Sequence, residues 1–510
     1  MPLATVYESR YIRAIEENAF SLGLTSSKMM ESAGRCVADL VVELLNSQEK
    51  GIRDEKVVVL AGRGGNAGDG LVAARYLKAY GAKVIVALLF DPSFFTHPDT
   101  AVNYDLWIKD NGSIARVFTK TDAQKLLMEL SDASVIIDAI FGTGVRYPLP
   151  EHVADVIEKV NSVRSALKVS IDIPSGLDPD KGIVGYPLVK ADYTVAIHFL
   201  KKAYFLAPDY CGQVRVCNIG IPVAAEEFVG PGHVKNLLRM KPPDAKKGDG
   251  GRIVVIGGSV DYVGAPALSG LAALKAGADL VHVVVPEVIR SVVSSYSPSL
   301  ITVPLGKEYL DWRELDKAWV PVSRADAVVI GPGMSFNEDT LAFFEAFMQK
   351  WRDVGRPFLI IDADALKCLS ELKLSVGENA VVTPHRGEFD RLLQSYGLSL
   401  EGDTELKAKA LAGKLGGVVL VKGPVDYICK ADLCMKNKTG NPGMSTGGTG
   451  DVLTGIIAAF TKRTSDLFEA SFLAAYINGM AGDLLYKERG EFFDSRDLID
   501  YIPLAIKSLI

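Results

Sequence analysis

The chain has few cysteines, six in 510 residues, and none of them forms a C-x-x-C pair or lies beside a His/Cys cluster. Neither a zinc site nor a disulfide framework is indicated, and a reducing cytoplasm is the expected compartment. Long apolar runs are also missing. None approaches the roughly 20 residues that span a bilayer, and the opening stretch MPLATVYESRYIRAIEENAF carries acids where an export signal carries an apolar core. No membrane partner is expected. A basic stripe is lacking too: the formal charge of −6 is spread along the chain, which argues against nucleic acid as a partner. The glycine-rich stretch NPGMSTGGTGDVLTG lacks the lysine of G-x-x-x-x-G-K-[ST], so it is not a P-loop.

What is present is an alternation of short apolar runs with amphipathic segments. KVVVLAG, AKVIVALLF, ASVIIDAIFGTG, LKVSIDIPSG, YTVAIHFL and GQVRVCNIGIP read as strands of a largely parallel sheet covered on both faces. Before them, TSSKMMESAGRCVADLVVELLN carries a helical apolar stripe behind a Thr/Ser cap and reads as packing. The pattern lapses through a Pro-, Gly- and charge-rich joint near residue 230 and resumes with GRIVVIGGS, ADLVHVVVP, ADAVVIGPG, PFLIIDADAL, NAVVTPH and GGVVLVKG. The expected fold class is α/β, with two three-layer domains over residues 1–225 and 235–510.

In the first array, Gly62, Gly64 and Ala67 match G-x-G-x-x-A, and Asp91 ends the next strand about twenty residues on, as in a dinucleotide fingerprint. A dehydrogenase is therefore one reading. Asn66 and Asp69 add polar groups that such a loop does not need. Asp138 and Asp172 each close a strand, and in a parallel sheet those ends share one crevice, where Asn66, Asp138, Asp172 and Ser175 can converge. Their hard oxygens suit an alkali or alkaline-earth ion, and a spare aspartate can shuttle protons. One acid at a strand end is commonly a helix cap; two beside an Asn-bearing glycine loop favour a site.

At these residues the sequence resembles the NAD(P)H-hydrate epimerases, marked by G-x-G-N-N-G-G-D-G, D-x-x-F-G-T-G and D-x-P-S-G, over residues 10–220. The resemblance implies a Rossmann-like domain with potassium held by Asn66, Asp138 and Ser175. It also implies substrate contacts along Gly65, Asn66, Ala67, Gly68 and Asp69, along Gly142, Thr143, Gly144, Val145, Arg146, Tyr147 and Pro148, and at Asp172. Gly65 and Ala67 depart from the family's Asn and Gly.

In the second array TGGTG looks built to hold an anion: glycines let N–H groups converge, and a helix N-terminus adds positive charge. Packing alone also produces glycine-rich turns. The turn resembles the G-[AT]-G-D turn of the ribokinase-like fold, which implies an anion hole at Gly447, Gly448, Thr449 and Gly450 and a catalytic base at Asp451. TPHRGE resembles the T-P-N-x-x-E of vitamin kinases in that fold and implies Glu388 near magnesium through water, with His385 replacing the Asn. GGS, GAP, GPG, DADAL, TPH-x-GE, KG and NPG-x-[AST]-x-GGTGD, in that order over residues 235–510, resemble the ADP/ATP-dependent NAD(P)H-hydrate dehydratases. That resemblance implies hydrate contacts at Ala265, Gly333, His385 and Asp451, and nucleotide contacts at Lys422, Gly423, Pro424, Val425, Asp426 and Gly450.

The two resemblances together imply a fused repair enzyme acting on NADHX and NADPHX, the hydrates of NADH and NADPH. Asp172 handles epimerisation and Asp451 the ADP-dependent dehydration, with K+ in the first domain and Mg2+ in the second. ADP as donor is inferred from kinship. Two rivals stay open: a small-molecule or vitamin kinase using the same Asp451, and a binding scaffold with a non-catalytic N-terminal domain. The sequence also leaves a homo-oligomer open.

Overall fold

The structure, a computed structural model, describes residues 6–355 and 357–510; the first five residues of the acidic N-terminal stretch lie outside that range. The chain divides into two compact units, residues 1–222 and 223–510.

In the first unit the apolar runs become strands because each is enclosed on both faces. In β1 (Lys56–Ala61), residues Val57, Val58, Val59, Leu60 and Ala61 are all fully buried, as a parallel strand roofed by helices requires. The others are β2 (Lys83–Leu88), β3 (Ser113–Arg116), β4 (Val135–Ala139), β5 (Leu167–Ile171), β6 (Tyr193–Ile197) and β7 (Gln213–Cys217). They pair in the order β3-β2-β1-β4-β5-β6-β7, every pair parallel. The order reverses at β1, which opens a crevice beyond the carboxyl ends of β1 and β4. Helices α1 (Ser9–Ser21), α2 (Ser26–Ser47) and α3 (Gly65–Ala79) surround that crevice. A two-residue ladder, Val6–Tyr7 on Leu200–Lys201, brings the start of α1 to the same edge.

The second unit repeats the principle on a larger scale. Its strands are β8 (Arg252–Ile256), β9 (Leu280–Val285), β10 (Leu300–Pro304), β11 (Ala327–Ile330), β12 (Phe358–Ile361), β13 (Ala380–Val382), β14 (Val418–Val421), β15 (Asp426–Cys429) and β16 (Cys434–Asn437). They pair as β10-β9-β8-β11-β12-β13-β14-β15-β16, parallel up to β14 and antiparallel in the closing hairpin. Over the sheet, α4 (Ala265–Lys275) lies against α6 (Thr449–Phe460). Gly455 permits the approach, since a Cβ there would collide with the Ser269 carbonyl, and the Ser269 and Thr454 hydroxyls meet at 3.0 Å.

The cysteine expectation is corrected. Cys36 of α2 is bonded to Cys217 at the end of β7, and Cys429 to its hairpin partner Cys434. Sequence separations of 181 and 5 match no spacing motif; the pairs are created by tertiary packing and strand register. The compartment inferred from missing disulfides loses that premise. No helix of the described residues is long and apolar enough to cross a membrane.

Alkylation of the unreduced, denatured protein is expected to label Cys211 and Cys368, the free cysteines, and to spare the other four; intact mass counts the groups. Cys36→Ser is expected to lower the stability of the first unit by about 2–5 kcal/mol, read from its denaturant midpoint. Labelling of all six would remove both bonds.

Candidate functional site

The first unit holds a cavity of about 840 Å³ at the carboxyl edge of its sheet, large enough for a dinucleotide-sized ligand. The glycine loop reaches it through Gly64, which caps α3 in an extended conformation, so the helix N-terminus faces the cavity. Gly65, Asn66, Asp69, Gly142, Thr143, Gly144, Arg146, Pro148 and Asp172 stand on its wall. Ala67 and Gly68 do not: they are buried in the first turn of α3, where Gly68 lies against Met30 and Thr100. Val145 is also off the wall. Tyr147 turns away, its hydroxyl donating to the Gly176 and Pro187 carbonyls at 3.2 and 3.1 Å, and burial pushes that phenol up to about 12. Asp91 is a cap rather than a ribose ligand, accepting from the Ser93 N–H and hydroxyl at 3.0 and 2.7 Å.

Behind the wall, Asp138 is enclosed and saturated with donors. Ser170 Oγ, Ser175 N–H and Ser175 Oγ reach it at 2.9, 2.8 and 2.5 Å. Burial still pushes its carboxyl above the usual range. Asn66 donates from Nδ2 to the Phe141 carbonyl at 3.0 Å, while its buried Oδ1 has no hydrogen-bond partner. A buried carbonyl oxygen left so costs roughly 1–3 kcal/mol, and a cation beside Asp138 and Ser175 would satisfy it.

Asp172 sits at φ 64, in the left-handed region that few non-glycine residues adopt. The turn aims its Oδ1 at Lys201 Nζ, 2.6 Å away, whose side chain is 2% exposed. The Tyr204 hydroxyl donates to the Asp172 carbonyl. Sequence reasoning missed Lys201 and Glu16, both on the cavity wall; a lysine closing the apolar run YTVAIHFL was the available signal. It also assigned TSSKMM to packing alone, whereas Ser26, Met29 and Met30 line the cavity. Asp69 is pushed well above its ordinary range by burial and by Asp172.

In the second unit the expected segments follow the carboxyl ends of neighbouring strands. Lys422, after β14, ion-pairs with Asp362, after β12, at 2.8 Å. Gly450 lies against them: a Cβ built there would be 3.1 Å from Lys422 Nζ. Gly448, at φ 92, caps α6, so the first-turn N–H groups at Thr449, Gly450 and Asp451 leave the helix end open to an anion. Thr449 Oγ1 ties the turn to the Met444 and Thr446 carbonyls at 3.1 and 3.2 Å. Asp451 lies in that first turn, and burial, then Asp362, push its carboxyl up to about 8 against the pull of Lys422. Gly447 is exposed beside it.

Ala265 and Gly333 are brought together, since a Cβ on Gly333 would meet Ala265 and Tyr262. Asp426 accepts from Gly423 N–H and Asn437 Nδ2, each at 3.0 Å, which folds the Lys422, Gly423, Pro424, Val425 and Asp426 turn; burial lifts its carboxyl to about 6. His385 caps α5 (Arg386–Ser395), Nδ1 accepting from Gly387 and Glu388 N–H at 3.1 and 3.4 Å, and Glu388 accepts from His385 N–H at 2.9 Å. Glu388 is raised by burial, with Lys422 opposing.

Comparison with known proteins gives the same division. Residues 26–203 match the family described as YjeF-related protein N-terminus, and residues 253–504 match the NAD(P)H-hydrate dehydratase family. A bifunctional NAD(P)H-hydrate repair enzyme from Hyperthermus butylicus is 38% identical, covering 98% of this chain and 92% of that protein. One from Pyrobaculum aerophilum is 39% identical over 96% of each. A ribokinase-like superfamily protein from Enterococcus faecalis has 27% identity and a TM-score of 0.50, covering 56% of this chain and 96% of its own, in keeping with the α/β architecture of the second unit. Similarity at this level across nearly the whole of both chains makes this protein a member of the bifunctional NAD(P)H-hydrate repair enzyme family.

Proposed function

We propose that the first unit interconverts the R and S hydrates of NADH and NADPH and that the second dehydrates the S form at the expense of ADP, giving AMP and phosphate. The observation that carries the reading is the presence in one chain of two separate acids at sheet edges, Asp172 paired to a buried lysine and Asp451 at the mouth of a helix N-terminus.

In the first unit, the carbinol carbon C6 adjoins a ring nitrogen whose lone pair can expel the hydroxyl as water. The resulting planar centre takes water back on either face, and Asp172 moves the proton. Lys201 holds the Asp172 carboxylate in place. Asn66, Asp138 and Ser175 fit a monovalent cation, on the strength of the unpartnered Asn66 Oδ1. Bound potassium would order the glycine loop and balance the charge of substrate phosphates.

In the second unit, Asp451 takes the proton of the S hydroxyl as its oxygen attacks the terminal phosphorus of ADP, releasing AMP. The first-turn N–H groups of α6 and Lys422 receive the charge on the transferring phosphoryl group. The C6–O bond then breaks, phosphate leaves, a proton is lost from the ring and the reduced cofactor reforms. Glu388, with Asp362 and Asp451 near Lys422, offers the sparse carboxylate set that a water-retaining magnesium takes, where it would neutralise phosphate charge. Ala265, Gly333 and His385 contact the hydrate, and the turn 422–426 the nucleotide. A cytoplasmic placement belongs to this reading through its substrates, the hydrates of NADH and NADPH.

Asp451→Asn is expected to lower ADP-dependent recovery of reduced-cofactor absorbance about 10²- to 10⁴-fold with nucleotide binding kept; a loss under about threefold would assign the base elsewhere. A base must be ionised, so kcat/KM of the intact enzyme should fall as pH drops through about 8, the value to which burial lifts Asp451. A flat profile between pH 6 and 9 would contradict this.

Replacing potassium by a large organic cation at fixed ionic strength is expected to slow epimerisation and leave Asn66 Oδ1 without a ligand. Equal rates, together with no thermal shift on adding potassium, would remove the metal role.

Asp172→Asn should dehydrate the S fraction of a mixed preparation and leave R behind, whereas Asp451→Asn should still interconvert them. Early time points and an enzyme-free control separate this from spontaneous epimerisation. R cleared by Asp172→Asn as fast as by the intact chain would free Asp172 of its role.

A further inference from the structure

Besides Asp69 and Asp172, the cavity of the first unit contains a third acid that neither the glycine loop nor the strand ends supply. Ser9, Ile12, Arg13, Glu16 and Phe20 of α1 all line it, the spacing of one helical face. That face is fixed over the sheet edge by two anchors. Ser9 donates through N–H and Oγ to Asp180 at 2.8 and 2.6 Å, and Val6–Tyr7 pairs with Leu200–Lys201. The second anchor includes Lys201 itself, the partner of Asp172. Glu16, two turns after Ser9, is thus carried to the cavity wall.

No hydrogen bond or ion pair engages the Glu16 carboxyl among the described residues. That carboxyl, half-buried, is left open to the cavity. The charges facing it are Asp172 and Lys201 from the sheet edge, with Asp69 from α3 coupled to both acids, and Arg13 and Glu17 on its own helix. Resting on the reading of this unit as the epimerase, we infer that Glu16 is a catalytic residue, the general acid that protonates the departing C6 hydroxyl while Asp172 serves as the base for the water that returns.

The step balances. The Glu16 proton passes to the hydroxyl oxygen, the C6–O bond breaks with its electron pair on the departing water, and the nitrogen lone pair forms C6=N. Solvent water then adds to the other face, its proton passes to the Asp172 carboxylate, and exchange with solvent restores both groups. Two acids with separated environments are what such a division needs. Burial, then the charge of Asp172, lifts Glu16 to about 7, so it holds a proton near neutrality, while Asp172 is ion-paired to Lys201.

The test compares Glu16→Gln and Glu16→Asp with the full-length enzyme, following R and S hydrate by chromatography between pH 5.5 and 9. For the unaltered chain, an acid that must be protonated makes epimerisation fall as pH rises through about 7. Glu16→Gln is expected to lose about 10²- to 10⁴-fold in rate, with KM for the hydrate kept, that falling limb gone, and dehydration of S unchanged. Glu16→Asp is expected to recover part of the rate and the limb. A Glu16→Gln rate within threefold of the parent, or an unaltered falling limb, overturns the assignment. If Glu16→Gln fails to fold, Glu16→Asp with full rate and an unshifted limb overturns it as well. An unaltered chain that epimerises no faster than the enzyme-free control overturns the epimerase reading itself, a distinct result.

Discussion

Parallel pairing is the constraint from which both sites follow. When every strand runs the same way, every carboxyl end lies on one edge, and helices roof the two faces so that buried strands such as β1 and β11 see no water. The edge is then the only place where consecutive strands can offer polar groups to a ligand. Asp138 and Asp172 mark that edge in one unit, Asp362 and Lys422 in the other. The same geometry encloses these groups and forces each to find a partner or shift its protonation. Asp138 finds partners in Ser170 and Ser175 that oppose the upward push of burial without cancelling it, and Asp451, with Lys422 the one charge opposing burial, is lifted to about 8.

Turning a side chain from a strand end into the crevice costs backbone strain. Asp172, Ser335 and Ala363, none of them glycine, adopt φ of 64, 61 and 50, each worth about 1–3 kcal/mol. The return is visible in what the turns aim. Ala363 separates two aspartates that face different partners: Asp362 meets Lys422 at 2.8 Å, and Asp364 accepts the Ser335 N–H at 2.9 Å. Ser335 in turn donates its hydroxyl to Ser259 at 2.9 Å, so the segments after β8, β11 and β12 are fixed to one another.

The central strands were legible because burial on both faces leaves an unbroken apolar run. Ser113–Arg116 was not, since an edge strand that is half exposed carries no such run, and neither was the hairpin Asp426–Cys429 with Cys434–Asn437. Acids that close strands were legible for the same reason as the strands. Glu16 and Lys201 were hidden, because they reach the cavity only when the ladder at Val6–Tyr7 folds back on Leu200–Lys201. The replacement of Asn by His385 has a local physical account: both residues present a side-chain acceptor at a helix N-cap, and here Nδ1 performs it. Tyr147 shows the reverse error, a residue inside a matching segment whose hydroxyl is occupied by backbone carbonyls.

Each site contains a lysine and two or more acids, yet the lysine is used differently. In the first, Lys201 is bound to Asp172 itself at 2.6 Å, which keeps the strand-end acid in place, while Glu16 and Asp69 are the acids that burial lifts. In the second, Lys422 is bound to Asp362 at 2.8 Å, so the acid at the helix mouth receives only its longer-range attraction and burial dominates. In each site burial lifts the acid that the lysine does not touch. A buried cation pairs strongly with one neighbour at a time, because attraction falls with distance while desolvation acts on every enclosed charge. A polyphosphate arriving at the α6 turn would bring anionic oxygens to Lys422 and so compete with Asp362 for it. The Lys201–Asp172 pair also stands on a cavity wall, but there the lysine side chain is 2% exposed and the carboxylate 15%, so a ligand meets the acid before it meets the cation.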